Sequence, residues 1–386
     1  MTVSQILLLD LDDVLLFSDG YRASLRAAVA YFGRRLGYRD VQLSDHAIDM
    51  FEAYGLTAEW DSGTVCTAVL LEQVWRRFHE YDGPSLEQWP SPPPHDLPVP
   101  EFQAFIAGLP ALDGRGDTPL VAAERELLRR SGPLSPERRA VLRGMFEHTR
   151  DIHRSMVHRV IQEFNLGSRR FEELYGLRPG FVTESSLLGR DRPRLRESER
   201  NILKVWANKI GQRAVIFTNR PSRPPEGAFD TPEAELGLEA SGLAGMPILG
   251  GGGLAWLGQQ RGLGSEALLK PSEVHALAAL RLALGEPLQA SLEAAAELAL
   301  DGELDEGWAP LDNAALHVFE DSVRGMRSAL RAVEVLKARD VNMRIALYGV
   351  SKSVPKRDAL AAAGAELFEN IQSALARVPG LEKMRE

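Results

Sequence analysis

The clearest pattern in this chain is a short apolar run that ends abruptly in carboxylates. Ile6–Leu9 is followed at once by Asp10, and then by Asp12 and Asp13. An apolar run without alternation is typical of a strand buried on both faces, as in a parallel sheet. Crowded carboxylates repel each other, and a cation bound at the carboxyl end of the strand would remove that cost. A solvated acidic turn is the alternative interpretation of these residues taken alone.

Two later apolar runs end in polar residues in the same way, and a lysine opens the helix predicted between them. The groups are Ala214–Phe217 with Thr218 and Asn219, Lys270 with Pro271, and His317–Phe319 with Glu320 and Asp321. Each group alone has a structural explanation, such as helix capping or a surface position. In a parallel sheet, however, all carboxyl ends lie at one edge, so these groups can converge although they are far apart in the chain.

The chain between the first two runs has a different pattern, because apolar and small residues recur there at helical spacing. Asp19–Leu36 is the first of several such segments. After residue 200, short apolar strands alternate with helical segments, which is typical of an α/β sheet. The predicted fold is α/β: a Rossmann-like parallel sheet over 1–17 and 200–386, with a large all-helical domain, 18–199, inserted after the first strand.

The helical domain contains a long basic segment. The helical pattern Ser135–Phe164 carries arginine at many of its polar positions, and Arg169 and Arg170 follow it. A solvated helix face is the simpler interpretation. Arginine also binds anions in a bidentate manner, so we predict that at least one of these side chains faces an anionic substrate.

Two stretches that are rich in one residue type are interpreted structurally. Gly250–Gly253 lacks the G-x-x-x-x-G-K-[ST] spacing of a phosphate-binding loop, so we predict a flexible loop there. The proline-rich segment Trp89–Pro100 predicts an extended linker or a rigid loop, because proline removes amide donors and blocks helix. A docking site for a proline-reading domain is the functional alternative.

Composition narrows the classes of partner. The net charge of −9 argues against a protein that binds nucleic acid by neutralising phosphates. Cys66 is the single cysteine, which excludes an internal disulfide and a cysteine-rich zinc site. No apolar run approaches the length of a transmembrane helix, and the first residues lack the basic region of a signal peptide. We therefore expect a cytoplasmic protein without a nucleic-acid or membrane partner.

The polar groups predicted at the sheet edge suit one kind of chemistry. Carboxylates from separate strand ends are hard ligands for Mg²⁺. A hydroxyl, a backbone amide and a lysine can donate to phosphate oxygens, and a further carboxylate can shuttle a proton. Together these groups fit phosphoryl transfer through an aspartyl-phosphate.

The same residues resemble, in order, the four signature motifs of the haloacid dehalogenase (HAD) superfamily. The motifs are D-x-D-x-V from Asp10, the apolar strand ending in Thr218-Asn219, Lys270-Pro271, and E-D-S-x-x-G from Glu320 to Gly325. The last two are most similar to the branch that contains β-phosphoglucomutase and phosphoglycolate phosphatases. The resemblance implies that the Asp10 strand lies between the other two. It also implies that the helical insertion is a cap domain, larger than the small helical cap usual in this branch.

The resemblance further implies a role for each residue at the sheet edge. Asp10 is the nucleophile, and Asp12 protonates the leaving group and then activates water. Thr218, Asn219 and Lys270 bind the transferring phosphoryl group, Asn219 mainly through its backbone amide.

A Mg²⁺ ion is the cofactor that the resemblance implies. Its ligands are Asp10, the backbone carbonyl of Asp12, and Asp321, with Glu320 in support. The predicted function is a Mg²⁺-dependent phosphatase that hydrolyses a small phosphorylated metabolite. A phosphomutase of the β-phosphoglucomutase type is the enzymatic alternative, because access of water decides between the two. A non-catalytic binding protein is the other alternative, whereas the acid at Asp12 argues against a dehalogenase.

Overall fold

A computed structural model describes most of the chain and divides it into two compact units. The described residues are 3–78, 96–110, 118–132, 134–264 and 266–385. The sheet unit comprises Met1–Ser18 and Asp191–Glu386, and the helical unit comprises Asp19–Arg190. The predicted fold class is confirmed, because the sheet unit is built on a parallel sheet and the regular structure described in the helical unit is helix.

The strands of the sheet unit form one large sheet and one small ribbon. Their bounds are β1 Gln5–Leu9, β2 Leu16–Phe17, β3 Arg192–Pro193, β4 Gln212–Phe217, β5 Ile248–Leu249, β6 Ala315–Glu320, β7 Arg344–Val350 and β8 Glu366–Phe368. The large sheet has six strands in the order β5-β4-β1-β6-β7-β8, and every neighbouring pair is parallel. The ribbon pairs β2 with β3 in the antiparallel sense. The first strand thus lies between β4 and β6, as predicted.

The apolar run of β1 is buried on both faces of the sheet. Ile6 and Leu8 belong to one apolar cluster, and Leu7 and Leu9 belong to another. Because successive side chains of a strand point to opposite faces, the two clusters lie on either side of the sheet. This double burial explains why the run contains no polar alternation.

The register brings the carboxyl ends of the central strands to one level. Leu9 pairs with Ile216 of β4 and with Phe319 of β6. The amide of Asp10 donates to the carbonyl oxygen of Phe319 at 3.0 Å. The residues that follow these strands therefore meet at one edge of the sheet.

Serine side chains cap the N-termini of several helices in the helical unit. Its described helices are α1 Gly20–Arg35, α2 Asp45–Tyr54, α3 Glu59–Arg77, α4 Phe102–Ala107, α5 Pro119–Arg130, α6 Pro136–Glu147, α7 Met156–Leu166, α8 Ser168–Tyr175 and α9 Ser186–Arg190. The side chains of Ser44, Ser135 and Ser155 accept hydrogen bonds from the first turns of α2, α6 and α7. Residues 89–95 of the proline-rich segment lie outside the described residues, and 96–100 form neither helix nor strand.

The single long helix predicted over Ser135–Phe164 is wrong, because this segment forms α6 and α7 with a break between them. In the break, the Asp151 carboxylate accepts from the amide of His153 at 2.9 Å. Ser155 Oγ accepts from the amide of His158 at 3.1 Å. Short polar side chains compete in this way for backbone donors that a continuous helix would use. The apolar spacing alone does not reveal such a break.

Helices cover both faces of the large sheet. They are α10 Glu197–Ala207, α11 Glu233–Ser241, α12 Gly251–Gln260, α13 Glu273–Ala283, α14 Leu288–Ala296, α15 Val323–Lys337, α16 Val354–Ala362 and α17 Ile371–Leu375. Side chains of α13–α15 join the cluster of Ile6 and Leu8, and those of α10 and α17 join the cluster of Leu7 and Leu9. Over the described part of both units, the helices are too short or too polar to cross a membrane.

The flexible loop predicted at Gly250–Gly253 is also wrong, since α12 begins within it. The start of this helix packs directly on the backbone that follows β4. A Cβ atom on Gly251 would lie 2.8 Å from the carbonyl oxygen of Asn219, and one on Gly252 would lie 1.8 Å from that of Ser222. Close approach of two backbone segments therefore explains these glycines.

Candidate active site

A buried lysine joins the ends of the central strands. Lys270 Nζ donates to Asp10 Oδ1 at 2.9 Å and to Glu320 Oε1 at 2.6 Å. It also donates to the carbonyl oxygen of Phe217, the last residue of β4, at 2.6 Å. Lys270 is only 3% exposed, so its charge partly compensates those of the two carboxylates away from water. The structure thus brings three of the sequence-predicted residues into direct contact.

Asp321 lies beside these groups and completes an acidic cluster. Carboxylate oxygens of Asp10, Glu320 and Asp321 lie within 4.8 Å of one another. Burial, reinforced by Glu320, raises the pKa of Asp10, although Lys270 opposes the shift. Burial also raises the pKa of Asp321, against the effect of Lys356. The lysines therefore do not fully offset the cost of the buried carboxylates, and the cluster can hold a metal ion.

The turn after β6 is built around the carboxylate of Glu320. Ser322 Oγ donates to Glu320 Oε2 at 3.1 Å. A Cβ atom on Gly325 would lie 1.8 Å from Glu320 Oε1, so glycine leaves room for the acid in the first turn of α15. Burial raises the pKa of Glu320 to about 6, although Lys270 opposes the shift. The spacing E-D-S-x-x-G has a physical explanation here, because its serine and glycine accommodate its glutamate.

Thr218 and Asn219 form the turn after β4. Thr218 Oγ1 accepts from the amide of Arg220 at 3.2 Å. A hydroxyl that accepts one hydrogen bond can still donate one, so Thr218 retains a donor for a ligand oxygen. Asn219 Oδ1 accepts from the amide of Lys270 at 3.1 Å, which ties this turn to the lysine. Both residues therefore lie at the same edge as Asp10.

Asp12 contacts an arginine for which no role was predicted. Arg220 Nε lies 3.0 Å and 2.9 Å from the two carboxylate oxygens of Asp12. Arg220 Nη2 also lies 2.9 Å from Asp191 Oδ2. Burial alone would raise the pKa of Asp12, but the charge and hydrogen bonds of Arg220 outweigh it and lower the pKa. The contact with Arg220 therefore favours the carboxylate form of Asp12.

Two more basic residues without a predicted role surround Asp13 and Asp321. Lys356 pairs with Asp321 and lies 3.6 Å from Asp13. Arg194 Nη2 lies 3.4 Å from Asp13 Oδ1. Neither cation directly follows an apolar strand of the large sheet, since Lys356 lies within α16 and Arg194 follows β3. The strand-end pattern that identified the other residues could not find them.

Three of the basic residues predicted to face a substrate have partners within the helical unit. Arg150 Nη2 lies 3.4 Å from Asp61 Oδ2, and Arg159 donates to backbone carbonyls of the α6–α7 break. Arg169 Nε lies 3.6 Å from Glu173 Oε1. That one of these arginines selects the substrate stays a prediction.

Comparison with known proteins finds similarity in fold. No protein-family profile matches this chain. No curated protein matches it either. A structural-genomics target solved by X-ray crystallography is similar over 95% of each chain, with 15% sequence identity and a TM-score of 0.64. The phosphatase Tt82 from Thermococcus thioreducens is a looser match, with 14% identity, a TM-score of 0.43, and coverage of 92% of this chain and 99% of that one. The first likeness extends to the fold alone, so function must be inferred from the residues of this chain.

Proposed function

We propose that this protein is a Mg²⁺-dependent phosphatase of the HAD type, which hydrolyses a small phosphorylated metabolite through an aspartyl-phosphate. The observation that carries the proposal is the contact of Lys270 with Asp10, Glu320 and the end of β4. A lysine fixed there can neutralise a phosphoryl group that is transferred to Asp10. The order and spacing of the motifs that resemble the HAD superfamily support the same chemistry.

The donor set at the acidic cluster fits Mg²⁺. Its oxygens come from carboxylates within 4.8 Å of one another, and Mg²⁺ prefers oxygen ligands. The residues that would hold the ion are Asp10, Asp321 and the backbone carbonyl of Asp12, with Glu320 in support. When bound, Mg²⁺ would neutralise charge on the phosphoryl oxygens.

In the first step we assign the attack on phosphorus to a carboxylate oxygen of Asp10. The bond from phosphorus to the leaving oxygen breaks, and that oxygen takes a proton from Asp12. Lys270, the Thr218 hydroxyl and the Asn219 amide hold the phosphoryl oxygens during transfer. In the second step water attacks the aspartyl-phosphate, its proton goes to Asp12, and Asp10 is released as a carboxylate together with inorganic phosphate.

The test is phosphate release from a panel of phosphorylated metabolites in the presence of Mg²⁺. We expect at least one substrate to be hydrolysed, with loss of turnover in Asp10→Asn. Asp12→Asn should slow turnover about 10²–10⁴-fold, the usual contribution of a general acid and base. Asp301→Asn is a matched control. Asp301 forms an ion pair with Arg261, with 2.7 Å between Oδ2 and Nη1, and it is not one of the residues at the sheet edge. An isomerised sugar phosphate without phosphate release would identify a mutase, and an inactive protein across the panel would contradict the proposal.

A further inference from the structure

The side chain of Arg220 lies between two carboxylates that come from distant parts of the chain. It contacts both oxygens of Asp12 through Nε, at 3.0 Å and 2.9 Å, and Asp191 through Nη2, at 2.9 Å. The side chains of Arg220 and Asp191 are 2% and 0% exposed. An ion pair this well buried is costly unless its geometry is fixed, so its position next to Asp12 calls for an explanation.

The backbone around Arg220 fixes the direction of its side chain. Its amide donates to Thr218 Oγ1 at 3.2 Å, and its carbonyl oxygen accepts from the amide of Gly251 at 2.7 Å. On the other side, a Cβ atom on Gly237 would lie 2.7 Å from Arg220 Nη1. The start of α12 and a glycine of α11 therefore shape a slot for one guanidinium group.

Asp191 stands where the chain re-enters the sheet unit. It immediately precedes β3, which pairs with β2, and β2 follows Asp12 by a few residues. The amide of Arg194 donates to the carbonyl oxygen of Leu15 at 2.9 Å and extends this ribbon. The ribbon thus holds Asp191 at a fixed distance from Asp12, with Arg220 between them.

We propose that Asp191 and Arg220 are positioning residues that hold Asp12 as the base for hydrolysis of the aspartyl-phosphate. This inference rests on the proposed function. In the step concerned, the oxygen of water bonds to phosphorus and the bond from phosphorus to Asp10 breaks. One proton of the water moves to Asp12, and inorganic phosphate leaves.

The second step is assigned because an activated substrate separates the two roles of Asp12. The contacts of Arg220 with both oxygens of Asp12 fix the orientation of that carboxylate, and a general base must be held in position to take a proton from the attacking water. The first step with an activated aryl phosphate needs little help from an acid, because the phenolate is already a good leaving group. Loss of Arg220 or Asp191 should therefore spare the first step with such a substrate and slow the second.

The experiment measures both steps with p-nitrophenyl phosphate by rapid quench. We expect Arg220→Met and Asp191→Asn to form the phosphoenzyme at close to the wild-type rate and to hydrolyse it about tenfold more slowly or worse. The fraction of protein trapped as phosphoenzyme should rise accordingly. Arg281→Gln is the matched control, because Arg281 is also a buried arginine between two carboxylates, Glu286 and Asp305, and should leave the trapped fraction unchanged.

A purely structural ion pair predicts a different result, in which both steps slow together or neither changes, and either outcome would overturn the inference.

A second measurement guards against misfolding: Asp191→Asn in the Asp12→Asn background should slow hydrolysis no further than Asp12→Asn alone. Additive slowing would contradict an action through Asp12. If wild-type protein forms no phosphoenzyme on Asp10, the proposed function fails as well; if it does and Asp191→Asn behaves as wild type, only this inference fails.

Discussion

Replacement of Lys270 by methionine tests how the central strands are held together. The substitution removes one positive charge and leaves Asp10 and Glu320 buried without their common partner. Breaking a buried ion pair by removing one member costs about 3–5 kcal/mol, since the remaining charge is neither hydrated nor paired. We expect Lys270→Met to lower the free energy of unfolding of the sheet unit by that amount at neutral pH.

The loss should depend on pH with a definite sign. The pKa of Glu320 is already raised to about 6 in the presence of Lys270, and removal of the lysine raises it further. An acid whose pKa is higher in the folded state binds more protons there, so stability falls as the pH rises through that range. The deficit of Lys270→Met relative to wild type should thus be small near pH 5 and should grow as the pH rises above about 6.

The assay is urea unfolding combined with hydrogen exchange of peptides from β1 and β6. Peptide-level exchange isolates the sheet unit from the helical unit, whose unfolding need not be coupled to it. Lys356→Met is the matched control, because its side chain is 47% exposed and its ion pairs should contribute about 1 kcal/mol or less. Equal losses in the two variants, or a Lys270→Met deficit that shrinks as the pH rises, would show that Lys270 does not stabilise the buried carboxylates.

Three further predictions concern packing, protonation and metal. Gly252→Ala should destabilise the protein by about 3 kcal/mol, the upper part of the range for overpacking, because the new Cβ would meet Ser222 at 1.8 Å. Its control is Gly144→Ala, in α6 with open space around it, which should instead stabilise by about 0.5–1 kcal/mol in the same denaturation assay. Burial lowers the pKa of His158 to about 4, so the unfolded state binds the extra proton and stability should fall as the pH drops from about 6.5 to 4, by at most ~1.4 kcal/mol per unit, in an acid titration of unfolding. Phosphatase activity should vanish in excess chelator and return when Mg²⁺ is added.

Each of these predictions has an outcome that counts against it. A neutral Gly252→Ala would mean that the contact between α12 and the turn after β4 is loose. If the free energy of unfolding depends on pH in the same way in wild type and His158→Gln, then His158 does not contribute to the loss of stability in acid. Full turnover in excess chelator would exclude Mg²⁺ from the mechanism.

The central part of the fold could be predicted because a strand that is buried on both faces has an uninterrupted apolar sequence. Ile6–Leu9 has no polar alternation, and the first polar residue after it marks the strand end. The same logic located Thr218 and Glu320 at their own strand ends. Once parallel pairing is assumed, convergence at one edge follows from topology rather than from sequence distance.

What could not be predicted depends on contacts between distant segments. The glycines of α12 look like a flexible loop in the sequence, because the carbonyl of Ser222 that requires them becomes a neighbour only in the folded chain. In the sequence, Arg220 is only a polar residue that follows β4. Its partner Asp191 lies in a segment otherwise dominated by arginine, so the sequence does not indicate the ion pair. A lone acid within a basic run, at the point where strands resume, is the signal that could have marked Asp191.

Detection of the covalent intermediate tests most directly whether Asp10 receives the phosphoryl group. Wild-type protein would be mixed with Mg²⁺ and p-nitrophenyl phosphate, quenched in acid, digested and analysed by mass spectrometry. We predict one added phosphoryl group on the peptide that contains Asp10 and none in Asp10→Asn, with a larger fraction trapped in Asp12→Asn. Phosphate release without this adduct, or an adduct that persists in Asp10→Asn, would contradict the claim.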